Sequence, residues 1–189
     1  MAKQFFKGII LLAACTSANV VFADFYAGGQ TGSVTWDDNN TAVSFDVYGG
    51  YQFSEFLAAE IAYTDLGSFD DNNAGDTFTT SVAGASYSLV GLLPLDDTFT
   101  LKGKVSYFDY SIDRERNGKA SSKAEAGNVT YSAGIDMNIA DNINVSLEYR
   151  FIPLEFNLYS NVDSAPKQEI SHNQTESADN LSLGLNIAF

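Results

Sequence analysis

The chain has 189 residues, with 24 acidic and 10 basic side chains, a formal charge of −14 and one cysteine. That length suits one domain of ordinary size, and the charge repels nucleic-acid backbones, so no nucleic-acid partner is expected. A lone cysteine excludes an internal disulfide framework and a multi-thiolate metal site.

The N-terminus reads as a signal peptide. Residues 1–7 carry Lys3 and Lys7 without an acid, residues 8–22 are mostly apolar or small, and Val21-Phe22-Ala23 suits a signal peptidase. A membrane helix needs about 20 mostly apolar residues, and Thr16, Ser17 and Asn19 interrupt this run. Leu12-Ala13-Ala14-Cys15 resembles the lipobox of bacterial lipoproteins. Only residues 8–12 separate it from Lys7, short of the ~7–15 apolar residues such a leader uses. We therefore expect a leader over 1–23 and a mature domain over 24–189, with lipidation of Cys15 as the alternative. Without the leader, 166 residues remain, with 8 basic and 24 acidic side chains and a charge of −16.

From there the pattern alternates with a period of two. Val43, Phe45, Val47, Gly49, Tyr51 and Phe53 interleave with Ser44, Asp46, Tyr48, Gly50 and Gln52. Near the C-terminus Leu181, Leu183, Leu185, Ile187 and Phe189 interleave with Ser182, Gly184, Asn186 and Ala188. Such alternation means a strand with one apolar face. Eight segments qualify, at 25–35, 42–53, 56–66, 78–93, 99–110, 128–139, 143–151 and 180–189. Most reach the ~9–11 residues of a tilted membrane strand. Short connections at 54–55, 94–97 and 140–142 alternate with longer polar ones at 36–41, 67–77, 111–127 and 152–179. Short turns at one end and long loops at the other predict an all-β, eight-stranded antiparallel up-and-down transmembrane barrel in a Gram-negative outer membrane.

The polar face holds Gln30, Asp46, Gln52, Glu60, Lys102, Lys104, Asp136, Asn138, Asn144, Glu148 and Arg150. Charges of both signs there suit a hydrated or ion-paired lumen. We expect a plug built around Lys102 and Lys104, with Asp136 on the neighbouring segment and Asp46, Glu60, Glu148 and Arg150 in equivalent positions. Apolar-face aromatics gather at strand ends: Phe53, Phe56, Phe99 and Phe189 near the short turns, Tyr63, Tyr107, Tyr131 and Phe151 toward the loops. Two interfacial belts are expected from this. The alternative is a soluble periplasmic barrel of the lipocalin kind, with the same alternation turned inside out and an apolar cavity.

Three blocks resemble the membrane domain of the OmpA family. They are Val47-Tyr48-Gly49-Gly50-Tyr51-Gln52-Phe53 with residues 60–67, residues 130–151 with Ala133-Gly134-Ile135-Asp136 and Leu147-Glu148-Tyr149-Arg150-Phe151, and residues 180–189. The resemblance implies that Leu185, Ile187 and Phe189 form the signal read by the outer-membrane assembly machinery. It also implies interior acids at Glu60 and Asp136. The positions matching their basic partners are Val90 and Ser146, so the family's ion-pair gate is not expected here. Because the chain stops at Phe189, no peptidoglycan-binding domain is expected.

Little points to chemistry. The only histidine, His172, has no serine two residues on, unlike the His-x-Ser pair of barrels resembling a lipid A deacylase. Residues 37–40 and 70–76 are rich in Asp and Asn, but the twelfth position counted from Asp70 is Ser81, where an EF-hand needs an acid. No enzyme activity, cofactor or ordered metal is expected. The expected role is structural or surface-interacting, with four long acidic loops outside the cell and a narrow pore or small-solute or lipid transporter as the alternative. Expected partners are outer-membrane lipid and lipopolysaccharide, the assembly machinery, and a ligand of the loops that the sequence does not name.

Overall fold

The computed structural model describes residues 24–36, 41–73, 76–116, 119–157 and 173–189. The leader, Cys15, residues 37–40 and His172 lie outside them. Eight strands are present: β1 (Asp24–Trp36), β2 (Thr41–Ser54), β3 (Leu57–Asn73), β4 (Asp76–Pro94), β5 (Phe99–Arg116), β6 (Lys119–Ala140), β7 (Ile143–Asn157) and β8 (Asn173–Ala188). Each pairs antiparallel with the next, and β1 pairs with β8 from Tyr26↔Ala188 to Trp36↔Ala178, closing the barrel. The fold is the expected all-β, eight-stranded up-and-down barrel.

Burial decides which face looks outward. Ile61, Leu101 and Leu183 are 55%, 42% and 58% exposed, whereas Asp46 and Glu148 are 1% and 0% exposed. An apolar outer wall around a polar lumen is the arrangement a bilayer requires, and the reverse of the lipocalin alternative. Phe56, Phe99 and Phe189 are exposed near the short turns; Tyr63, Tyr107, Tyr131 and Phe151 are exposed toward the other end. Tyr87 and Tyr149 join the second group.

Local chemistry sets the tight turns. Pro94 ends β4, and the Asp96 carboxylate accepts from the backbone N–H groups of Thr98 and Phe99, both at 2.8 Å. In β3 the ladder shifts between Asp65 and Ser68. There Gly67 takes φ 77°, a left-handed conformation costly for other residues, and donates its N–H to Asp65 Oδ1 at 2.8 Å.

Two of the expected loops are largely sheet. The β3–β4 ladder runs on to Asn73↔Asp76 and the β5–β6 ladder to Arg116↔Lys119. The third long connection is shortened too, since β7 and β8 pair out to Asn157↔Asn173. These extensions lacked an obvious signal because the wall changes polarity. Along β5 the buried positions are Lys102, Lys104 and Ser106, then Phe108, Tyr110 and Ile112. The exposed ones are Leu101, Val105 and Tyr107, then Asp109 and Asp113. Beyond the tyrosine belt the barrel is apolar inside and polar outside. Its upper core joins Val34, Trp36, Leu66, Val82, Phe108, Tyr110, Ile112, Ile152, Leu154 and Ala178, with Trp36 packed on Phe69 at 4.8 Å between ring centroids.

One seam is short. The β6–β7 ladder ends at Tyr131↔Phe151 although both strands continue. Pro153 lies two residues beyond and has no N–H to give a ladder. The Asn128 side chain crosses instead, donating to the Pro153 carbonyl at 3.1 Å.

Candidate functional site

Among the described residues, the lumen gathers the buried acids and bases, because alternation sends every second residue of each strand inward. Arg150 on β7 meets Asp46 on β2 with both terminal nitrogens: Nη2–Oδ2 is 3.1 Å and Nη1–Oδ1 3.4 Å. Gln30 of β1 donates to the same Asp46 Oδ2 at 2.7 Å. Arg150 Nη2 also lies 3.3 Å from Glu148 Oε1. On β5, Lys104 Nζ is 2.8 Å from Glu60 Oε1 and 3.0 Å from Glu148 Oε2. Lys102 Nζ is 2.9 Å from Asp136 Oδ1 and 3.5 Å from Glu148 Oε2.

The structure thus brings Asp46, Glu60, Lys102, Lys104, Asp136, Glu148 and Arg150 into one network across β2, β3, β5, β6 and β7. The sequence reading centred it on the two lysines. In the structure Glu148 holds the centre, as the acid that touches all three bases. Removing charges from water is costly, and only multiple pairing and hydrogen bonding offset it. Four acids meet three bases here. The extra negative charge sits best at Asp136, whose side chain is 14% exposed while Glu148 is at 0%.

The two departures from the OmpA pattern have a structural answer. Val90 is the cross-strand partner of Lys104, so the base missing from β4 is supplied one strand over. Ser146 bridges the other pair: Lys102 Nζ donates to its Oγ, and that hydroxyl donates to Asp136 Oδ1 at 2.7 Å.

Two tyrosines escaped the sequence reading. Tyr26 donates from its hydroxyl to Glu60 Oε2 at 3.2 Å. The Tyr48 ring lies under Lys104, 5.2 Å from Nζ to centroid, a cation–π geometry. The two sit in reciprocal pairs, Tyr26↔Gly50 and Gly28↔Tyr48. A Cβ on Gly50 would run into the Tyr26 ring, and one on Gly28 into that of Tyr48. Glycine opposite each ring lets it lie flat against the wall. Gly28 and Gly50 at inward positions were the available signal.

Along the axis the lumen is filled in stages. At the short-turn end a vestibule of about 90 Å³ is lined by residues including Gln52, Leu92, Asp136, Asn144 and Asn186, large enough for several waters. The ion network follows, then a gap of about 10 Å³ near Ser88, Ser106 and Thr130, then the apolar upper core. The remaining candidates, Leu185, Ile187 and Phe189, face outward at 46%, 36% and 77% exposure. The Phe189 N–H still donates to Phe25 O at 2.8 Å, so the last residue is tied to β1. Asp70 of the acidic stretch at 70–76 accepts from Thr79 across the β3–β4 ladder at 2.6 Å.

Comparison with solved structures returns small outer-membrane barrels. Neisserial surface protein A superposes with a TM-score of 0.58 at 14% identity, covering 88% of this chain and 97% of that one. OprG from Pseudomonas aeruginosa gives 0.55 at 10% identity, with 88% and 95% covered. Ail of Yersinia pestis, solved with the heparin analogue sucrose octasulfate, gives 0.51 at 13% identity, with 88% and 97% covered. At these identities the likeness is one of fold. No curated protein matches the sequence. The family model for the outer membrane protein beta-barrel domain matches residues 8–189, nearly the whole chain, and the chain belongs to that family.

Proposed function

We propose that the protein is a closed, non-catalytic outer-membrane barrel of OmpA type that displays strand-extended hairpins at the cell surface. The doubly filled lumen carries this reading: a paired charge network in the membrane-spanning part and an apolar core beyond the tyrosine belt. Eight strands leave an interior that side chains can fill. An ion entering from outside would meet the apolar core before any water. The stability of such a barrel serves the membrane, and the surface it displays lies in the hairpins. That Ail was solved with a ligand analogue supports a surface role for this kind of barrel.

The test is conductance of the purified, refolded protein in a planar bilayer. A closed barrel gives no steady steps above the bare membrane; sustained single-channel conductance would overturn the reading. A second reading, passage of a small apolar solute, draws support from the upper lumen lined by Val34, Leu66, Phe108, Ile152 and Leu154. It predicts that cells making the protein take up a labelled apolar solute faster than cells lacking it.

A further inference from the structure

The interior network does not balance. Asp46, Glu60, Asp136 and Glu148 face Lys102, Lys104 and Arg150, and each base already holds two acids. One negative charge is left over, and an uncompensated charge in a confined interior is costly. Its place is set by Asp136. Lys102 and Ser146 both contact that carboxylate at Oδ1. Among the described residues Oδ2 has no partner, and Asp136 lines the vestibule at the short-turn end.

Other oxygens gather on the same cavity. Tyr48 lines it at 5% exposure, and its hydroxyl has no hydrogen-bond partner in good alignment. The ring lies over Gly28, where a Cβ would stand 2.6 Å from Oη. Gly28 pairs with Asn186, so the hydroxyl reaches the β8 side of the vestibule. A buried hydroxyl left unpaired costs free energy, and a ligand there recovers it. Asn144 donates from Nδ2 to Asn186 Oδ1 at 2.9 Å, which leaves its own Oδ1 uncommitted. Oxygen donors of this kind suit a hard cation.

Charge selects the ion. A divalent cation would turn the surplus of −1 into +1, whereas a monovalent one brings the network to zero. The mouth favours cations too: Glu55, Asp96, Asp97 and Asp141 are exposed on the short turns, and residues 54–56, 95–98 and 141–142 include no base. Charge of one sign around a cleft concentrates the opposite ion there. The cavity of about 90 Å³ has room for an ion with waters.

We infer that the vestibule binds one alkali cation, sodium or potassium, through Asp136 Oδ2, the Tyr48 hydroxyl and the Asn144 side-chain oxygen, and that this ion completes the charge balance of the lumen. The inference does not depend on the surface-display reading. The test is urea unfolding of the full barrel in phosphatidylcholine vesicles, followed by tryptophan fluorescence. Sodium or potassium chloride is raised from about 0.05 to about 0.5 M, with N-methylglucamine chloride holding ionic strength and screening constant. A ligand of the folded state stabilises by mass action, so the wild-type unfolding constant falls roughly fivefold with at least one of the two cations. Asp136→Asn removes the dependence. Tyr48→Phe, which keeps the ring beneath Lys104, weakens it. Asp109→Asn, at an exposed position on the outer wall, leaves it unchanged and so separates a bound ion from diffuse counter-ions. Should Asp136→Asn fail to fold, Tyr48→Phe decides alone. A wild-type unfolding constant that ignores both cations, a dependence that survives Asp136→Asn or Tyr48→Phe undiminished, or an equal loss of it in Asp109→Asn would each overturn the inference.

Discussion

The Nζ of Lys104 lies 3.0 Å from Glu148 Oε2, and this contact between β5 and β7 joins the two halves of the interior network. On one side Lys104 holds Glu60, which accepts from Tyr26. On the other, Glu148 shares Arg150 with Asp46. That Glu148 oxygen is close to both lysines yet lacks a hydrogen-bond partner in good alignment, so charge attraction holds it. Losing Lys104 leaves Glu60 held by the Tyr26 hydroxyl, whereas losing Glu148 takes one contact from each base but leaves Lys102 with Asp136, Lys104 with Glu60 and Arg150 with Asp46.

Glu148→Gln weakens contacts to three bases at once and is expected to be the most costly neutralisation of a lumen acid, at roughly 1–3 kcal/mol, since each base keeps another acid. Asp136→Asn should cost less, because Lys102 keeps Glu148 and Asp136 borders the wet vestibule. Urea unfolding in lipid vesicles, followed by tryptophan fluorescence, ranks the two. A milder effect of Glu148→Gln than of Asp136→Asn would contradict the central place given to Glu148.

Lys104→Met should also destabilise the barrel. Its rescuing partner is Glu60→Gln, since Lys104 pairs with Glu60 and Asp136 pairs with Lys102. The expected double-mutant cycle shows a coupling of at least about 0.5 kcal/mol for Lys104 with Glu60, larger than for Lys104 with Asp136. Equal couplings would mean that interior water hydrates the groups separately.

Two obstructions in series make a prediction about flow. Lys104→Met alone should leave the barrel electrically silent, because the apolar core above is untouched. Adding Phe108→Ala and Tyr110→Ala, whose rings stack at 5.1 Å, should produce measurable conductance. Planar-bilayer recording of the single and triple variants checks this; steps in the single variant would show that the upper core is no barrier.

Gly50→Ala should destabilise the barrel by about 1–3 kcal/mol, the range for forcing extra atoms into packed sites, because the new methyl meets the Tyr26 ring. Gly49→Ala, facing lipid next door with Tyr26 O at 3.7 Å, should be nearly neutral. Thermal unfolding of both in the same detergent gives the comparison, and similar losses would remove the special role of the glycine–tyrosine pairs.

Phe189→Ala should slow assembly more than it weakens the finished barrel. The substitution keeps the backbone N–H that reaches Phe25 and removes an exposed ring. Pulse-chase folding in cells, read beside in vitro stability, separates the effects; wild-type assembly kinetics would refute the role assigned to Leu185, Ile187 and Phe189.

Much was decided by sequence alone. Period-two alternation with three short turns determined the strand count, their order and the closed architecture, because a tilted membrane strand needs its apolar residues on one face. It also placed Asp46, Glu60, Lys102, Lys104, Asp136, Glu148 and Arg150 on the polar face. Alternation carries no sign, however. Which face meets lipid, and which acid meets which base, depend on how eight registers align around the ring, and that is a tertiary property. Hence Glu148 rather than the lysines came to the centre, and Lys104 took the place left by Val90. The strand extensions were hidden for a related reason. From Lys102 to Ile112 the period never breaks, but at Tyr107 and Phe108 the apolar and polar faces exchange as the wall leaves the bilayer for water. A reading that followed the apolar face ended the strand soon after, at Tyr110, whereas the backbone ladder continues to Arg116 because water and a dry interior favour the opposite arrangement of the same alternation.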